Sequence, residues 1–165
     1  MPRPPALPFW SPVTLLATWF GSGLLGKAPG TCGSLAALPF AALILWAGGN
    51  LGLLIAAGVV FVLGLAVSDR YARAGEDPDP GPVVIDEVAG QWLTLVPLCL
   101  TIESFALGFV LFRFFDIAKF WPISVAERRL SGGLGIMADD IVAGLLAGAL
   151  SAGLLIGFGR QTCFP

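Results

Sequence analysis

Residues 28–68 read APGTCGSLAALPFAALILWAGGNLGLLIAAGVVFVLGLAVS, without one charged side chain. About 20 apolar residues cross the hydrocarbon core of a bilayer, so the run is long enough for two crossings. Gly48, Gly49 and Asn50 divide it and are good turn formers, which predicts a helical hairpin with arms at 33–47 and 51–68. Pro39 falls within the first arm, where a proline kinks a helix. A second charge-free run covers residues 141–159. The 165 residues are 56% hydrophobic and 12% charged with mean hydropathy +0.87, against roughly 25% charged in a soluble domain. The expectation is one all-α integral membrane domain, a small bundle of about five transmembrane helices plus a short N-terminal interfacial or re-entrant helix.

Residues 13–20 are apolar but too short to span, and are read as that interfacial helix. A third span is expected at 88–102, a fourth at 104–121 with Arg113, Asp116 and Lys119 near its end, and a fifth at 141–159. In the fifth, Gly144, Gly148 and Ala152 recur at the spacing of close helix packing. The polar stretches 69–82 and 128–138 read as loops outside the membrane. Threading the chain this way puts Lys27, Arg70, Arg73, Arg128 and Arg129 on one side, and Asn50, Glu103 and Arg160 on the other. The positive-inside rule makes the first side cytoplasmic. Trp10, Trp19, Trp46, Trp92 and Trp121 lie mostly near span ends, as interfacial anchors do. Arg3 stands among prolines with no clean apolar core leading to an A-x-A site, so the N-terminus is expected to be retained.

A net charge of −2 gives no basic surface for nucleic acid. Cys32, Cys99 and Cys163 are odd in number, lack a C-x-x-C spacing, and read as small apolar packers. There is no histidine, so carboxylates, lysine and arginine are the strong chemical groups. Residues 21–34, GSGLLGKAPGTCGS, match G-x-G-x-x-G and most of a P-loop. Both motifs require a strand before the glycines, and Ala28 stands where the P-loop needs a Mg²⁺-binding hydroxyl, so both nucleotide readings fail. What survives is a glycine-and-lysine cradle for phosphate at a helix start.

Nearly all the acids fall on the cytoplasmic side, several at helix ends: Asp79, Asp86, Glu87, Asp116, Asp139 and Asp140. A carboxylate at membrane depth costs several kcal/mol without a partner and is a functional candidate by default. Six such groups repel one another, and a bound divalent cation relieves that repulsion, with Mg²⁺ favoured because the donors are oxygens. Each motif also has a plain structural reading. Asp139 with Asp140, and Asp86 with Glu87, open spans where an acid caps free amides and suits the helix dipole. Arg113, Asp116 and Lys119 recur at i, i+3 and i+6, as in a salt-bridge ladder. Asp77 and Asp79 suit a solvated turn, and Lys27 suits a snorkelling lysine. The return of every acidic pair to one face of the bundle favours the metal-site reading.

The stretches APGTCGSLAALP (28–39), DPGPVVIDEVAGQW (79–92), FRFFDIAKFWPI (112–123) and GGLGIMADDIVAG (132–144) closely resemble the bacterial phosphatidylglycerophosphatase A family. The four blocks occur in order and cover residues 21–148. The resemblance implies an integral-membrane, Mg²⁺-dependent phosphatase that converts phosphatidylglycerophosphate to phosphatidylglycerol and inorganic phosphate, with that phospholipid and membrane lipids as its partners. It implies family acidic positions at Asp79, Asp86, Glu87, Asp116, Asp139 and Asp140, and polar ones at Lys27, Thr31, Ser34, Arg113 and Lys119. Phe120 departs from the pattern, standing where a proline is often found, which bears on the local helix end.

On this reading the phosphate cradle at 26–34 receives a lipid phosphate, with Thr31 or Ser34 near the helix start. No arginine stands six residues after Cys32 or Cys99, where Leu38 and Phe105 are found, so a cysteine phosphatase is excluded. The expected metal ligands are Asp86, Glu87, Asp139 and Asp140, with Asp79 beside them. Lys27 and Arg113 are expected to neutralise oxyanion charge, with Thr31, Ser34 and Lys119 completing the substrate contacts. Asp116 is the candidate general base or nucleophile within a catalytic set that also includes Asp86, Glu87, Asp139 and Asp140. The competing class is a small transporter whose acids bind a cation in transit. The acids sit at one interface and no inverted repeat is visible, which counts against it.

Overall fold

The structure is a computed structural model and describes residues 7–118, 132–160 and 162–163. Its regular elements are all helical: α1 (Pro12–Ala17), a 3₁₀ turn (Ser22–Leu24), α2 (Pro29–Gly75), α3 (Ile85–Leu95), α4 (Ile102–Ala118) and α5 (Gly132–Gly157). Lys119, Phe120, Trp121, Arg128, Arg129 and Arg3, named above, lie outside the described residues.

Pro29 starts α2, where its missing N–H costs nothing. Run straight, 47 residues would extend roughly 70 Å, more than twice the hydrocarbon core. The chain turns back instead at Gly49, whose φ of 62° and ψ of −165° suit a residue without a Cβ. Gly33 of the first arm packs on Val84 and Gly64 of the second on Ile85, so both arms flank the start of α3. At the tip, the Asn50 amide donates to the carbonyls of Val96 and Leu98. The expected hairpin is therefore present, and Pro39 leaves the helical dihedrals of the first arm intact.

The expected third span is different. Helix α3 stops at Leu95, two residues before Pro97, and is too short to cross a bilayer. Val88, Ala89, Gly90, Gln91, Trp92 and Leu95 are all buried, because α2, α4 and α5 enclose the helix. Hydropathy alone does not distinguish a helix buried in protein from one buried in lipid. Two described helices, α2 and α5, are long and apolar enough to cross a membrane. Their outer faces expose Leu43, Leu51, Ile55, Leu145 and Ile156, as a lipid-facing surface does.

Four further expectations are corrected. Residues 132–138, read as loop, form the first turns of α5, with Gly133 packed against the Leu65 carbonyl. Of the interfacial segment expected at 13–20, only residues 13–17 are α-helical; Trp19, Phe20 and Gly21 then turn with φ of 43°, 57° and 90°. Trp19 and Trp92 are core residues, packed edge-to-face at 5.5 Å, with the Trp92 indole donating to the Ala37 carbonyl at 2.9 Å; Trp10 and Trp46 are exposed as expected. Cys99 and Cys163 are joined in a disulfide across 64 residues, a pairing that no spacing motif signals. The bond ties the C-terminal tail to the α3–α4 loop, beside an Arg160–Glu103 ion pair of 3.2 Å.

Helices α3 and α5 approach until their backbones touch. A Cβ on Gly144 would lie 2.5 Å from the Gly90 carbonyl oxygen, and one on Gly90 2.5 Å from that of Asp140. Gly144→Ala is expected to destabilise the fold by about 1–3 kcal/mol, read as a lower melting temperature in detergent. Gly153→Ala, on the same helix with open space around it, is expected to leave that temperature unchanged or raise it. Equal melting of the two variants would refute the contact.

Candidate active site

The glycine contact sets the depth at which α5 lies against α3, and so brings Asp140 beside the first turn of α3. Asp86 and Glu87 occupy that turn, where carboxylates suit the positive end of a helix. Asp86 also accepts the Glu87 N–H on Oδ1 at 3.0 Å. Carboxylate oxygens of Asp86, Glu87 and Asp140 all lie within 4.8 Å of one another. Asp140 is 3% exposed, and Oε2 of Glu87 is buried without a hydrogen-bond partner among the described residues.

Helix α3 is not a spanning segment, and its acids titrate accordingly. Burial, reinforced by the charges of Glu87 and Asp140, holds the Asp86 carboxyl well above the ordinary carboxylate range. Burial raises Glu87 too, while its contact with Asp86 and the Arg113 guanidinium pull the other way.

Arg113, on α4, is the cation that reaches this cluster among the described residues. Its Nη1 lies 2.7 Å from Asp116 Oδ2 and 3.9 Å from Glu87 Oε1, and donates to Ser34 Oγ at 3.4 Å. The first rung of the intrahelical ladder therefore exists, but the arginine also joins α4 to α3 and to the first arm of α2. Ser34 is fully buried and donates to the Gly30 carbonyl at 2.9 Å, which leaves its oxygen facing the guanidinium. Gly30 has no room for a side chain, since a Cβ there would strike Glu87 and approach Arg113.

A cavity of about 570 Å³ opens over these groups, lined by Asp79, Asp86, Glu87, Asp116, Asp139 and Asp140. All six acids named from the sequence thus share one cavity. Asp79 is an exposed rim residue on the 77–84 loop, and Asp139 is half-buried. Asp139 and Asp140 do not cap α5, because the helix begins at Gly132, about two turns earlier. Of the expected cradle, Pro29 and Gly30 line the cavity. Lys27 is exposed in the segment leading to α2, Thr31 is half-buried in its first turn, and neither lines the cavity. Lys119 lies outside the described residues.

Gln91 was overlooked in the sequence. It lies one turn beyond Glu87, is fully buried, and both atoms of its amide lack partners among the described residues. Its i+4 relation to Glu87 was the available signal. It offers the region one buried amide with both donor and acceptor capacity.

The donor set suits a hard divalent cation: several carboxylate oxygens converge, one is unpartnered, and neither thiol nor imidazole lies among them.

Residues 15–155 match the family described as Phosphatidylglycerophosphatase A. The chain is 42% identical over 153 residues to the phosphatidylglycerophosphatase A of Escherichia coli, covering 92% of this chain and 86% of that protein. It is 38% identical over 138 residues to the phosphatidylglycerophosphatase A of Haemophilus influenzae, covering 83% and 85%. A Bacteroides thetaiotaomicron protein described provisionally as a phosphatidylinositol-3-phosphatase is 36% identical over 166 residues, covering 92% and 96%. No solved structure matches. With a match that spans both the acidic cavity and the helices that build it, the chain belongs to the phosphatidylglycerophosphatase A family.

Proposed function

We propose that the protein hydrolyses the terminal phosphate of phosphatidylglycerophosphate, releasing phosphatidylglycerol and inorganic phosphate, with Mg²⁺ as cofactor. The observation that carries the reading is the convergence of Asp86, Glu87 and Asp140 within 4.8 Å, in a chain of this family. Asp86, Glu87 and Asp140 would hold the ion, with Asp79 and Asp139 at the cavity wall to orient its waters. The bound ion supplies Lewis-acid charge at the phosphoryl group. Arg113 presents its guanidinium to the phosphoryl oxygens, while Ser34 and Glu87 hold that guanidinium in place. Asp116, oriented by Arg113, takes a proton from the attacking water or attacks the phosphorus itself. Trapped phosphoenzyme would distinguish the second route. Lys27 and Thr31, in the segment that leads into the cavity wall at Pro29 and Gly30, would meet the outer part of the headgroup.

The reading places the two arms of α2, α4 and α5 across a bacterial inner membrane, with α3 enclosed among them and the acidic cavity facing the cytoplasm. Two features support that orientation. Lys27, Arg70 and Arg73 gather at the cavity end, and the Cys99–Cys163 disulfide lies at the other end, as suits an oxidising compartment. A lipid substrate suits the position, since a headgroup reaches the acids while its chains remain in hydrocarbon.

Purified protein is expected to release phosphate from phosphatidylglycerophosphate, to stop in EDTA and to recover with Mg²⁺. Absence of release would favour cation transport and overturn the assignment. Phosphatidylinositol 3-phosphate in the same assay is expected to be the poorer substrate; the reverse preference would move the headgroup assignment, not the chemistry. Asp116→Asn should lower kcat by about 10²–10⁴-fold with the Mg²⁺ requirement unchanged. Glu87→Gln and Asp140→Asn should raise the Mg²⁺ concentration needed for half-maximal rate. If all three variants shift that concentration equally, the division of roles is wrong. In intact cells, Cys99 and Cys163 should react after reduction with a membrane-impermeant maleimide, and the Asp79→Cys thiol should not; the opposite pattern would invert the orientation.

A further inference from the structure

A second cavity, of about 490 Å³ and almost wholly apolar, lies between the first arm of α2 and α4. It exists because these two helices barely touch: α2 packs on α3, and α4 packs on α5, leaving a cleft between them. The helical repeat aligns the cleft with the acidic site. Stepping four residues at a time from Ser34 along α2 gives Leu38 and Ala42; stepping back from Arg113 along α4 gives Phe109 and Phe105. All four line the cleft, and residues four apart share a helix face. Arg113, donating to Ser34, therefore closes the cleft at its polar end, while Leu100 and Ile102 lie at the far end.

We infer that this cleft holds one acyl chain of the lipid whose phosphate is bound at Arg113. The inference rests on the phosphatase reading and adds a subsite to it. Its occupant is set by what it offers: a cation for the phosphate at one end, and an almost wholly apolar lining from there to the other. Lipid tails are as apolar as the leucines of the cleft, so moving a chain from bilayer to cleft gains little transfer free energy. The subsite instead positions the headgroup, because a seated chain restricts how the phosphate approaches the acids. A different apolar depression, between Leu54, Phe61 and Ile141, has no such polar end and serves as the comparison.

The test uses full-length protein with dioleoyl phosphatidylglycerophosphate, its water-soluble dibutyryl counterpart, and an analogue carrying a diazirine on one acyl chain. Ala106→Trp places an indole in the cleft, away from the acids. It is expected to raise KM for the dioleoyl lipid about tenfold while kcat/KM for the dibutyryl lipid stays within about twofold. On wild-type protein, light should attach the diazirine chain to residues 35–42 and 105–109, and excess dioleoyl substrate should suppress that labelling. Unchanged KM for both lipids would overturn the subsite. So would labelling centred on Leu54 and Phe61, or labelling of the cleft that excess substrate does not suppress, which marks bulk lipid. If the variant loses activity on both lipids, the wild-type labelling decides alone. Failure of the wild-type protein to hydrolyse either lipid would overturn the phosphatase reading itself, which is a separate result.

Discussion

The site depends on backbone contact between α3 and α5. Gly90 and Gly144 remove the side chains that would otherwise hold two helices 8–10 Å apart, and the acids one turn away are drawn together as a consequence. Asp140 is not free to choose its neighbours, because its carbonyl is part of the contact. Carboxylates with no mutual attraction are crowded by packing that has nothing to do with their charge. The fold supplies the cost of assembling the cluster, and whatever binds there recovers it.

Arg113 is the electrostatic counterpart of that contact. Among the described residues, its guanidinium alone joins α4 to both α3 and α2. Gly30 has the same logic on the α2 side, since its bare Cα lets the helix start come against Glu87 and Arg113.

Much of this was legible in the chain. The charge-free run and its Gly48–Gly49–Asn50 break specify the hairpin, because bilayer thickness and helix rise leave few alternatives. The acids of the first turn of α3 and the pair Arg113 and Asp116 follow from spacing. Helix α3 was misread as a span because a run such as VAGQWLTL looks the same whether protein or lipid surrounds it. The start of α5 was misread because its glycines resemble a loop, whereas Gly133 is there to admit the Leu65 carbonyl. The disulfide depends on the C-terminal tail meeting the α3–α4 loop in space, and Gln91 on knowing that α3 is enclosed. Neither is a local property of sequence.

The two ends of the bundle are fastened differently. At one, the Asn50 amide holds the hairpin tip to the chain after α3, and a covalent bridge secures the tail nearby. At the other, helices that bear the acids are held by glycine contacts and one shared cation. Such an arrangement is riveted at one end and clamped at the other: a covalent bond fastens the handle, and packing alone sets the spacing of the acids.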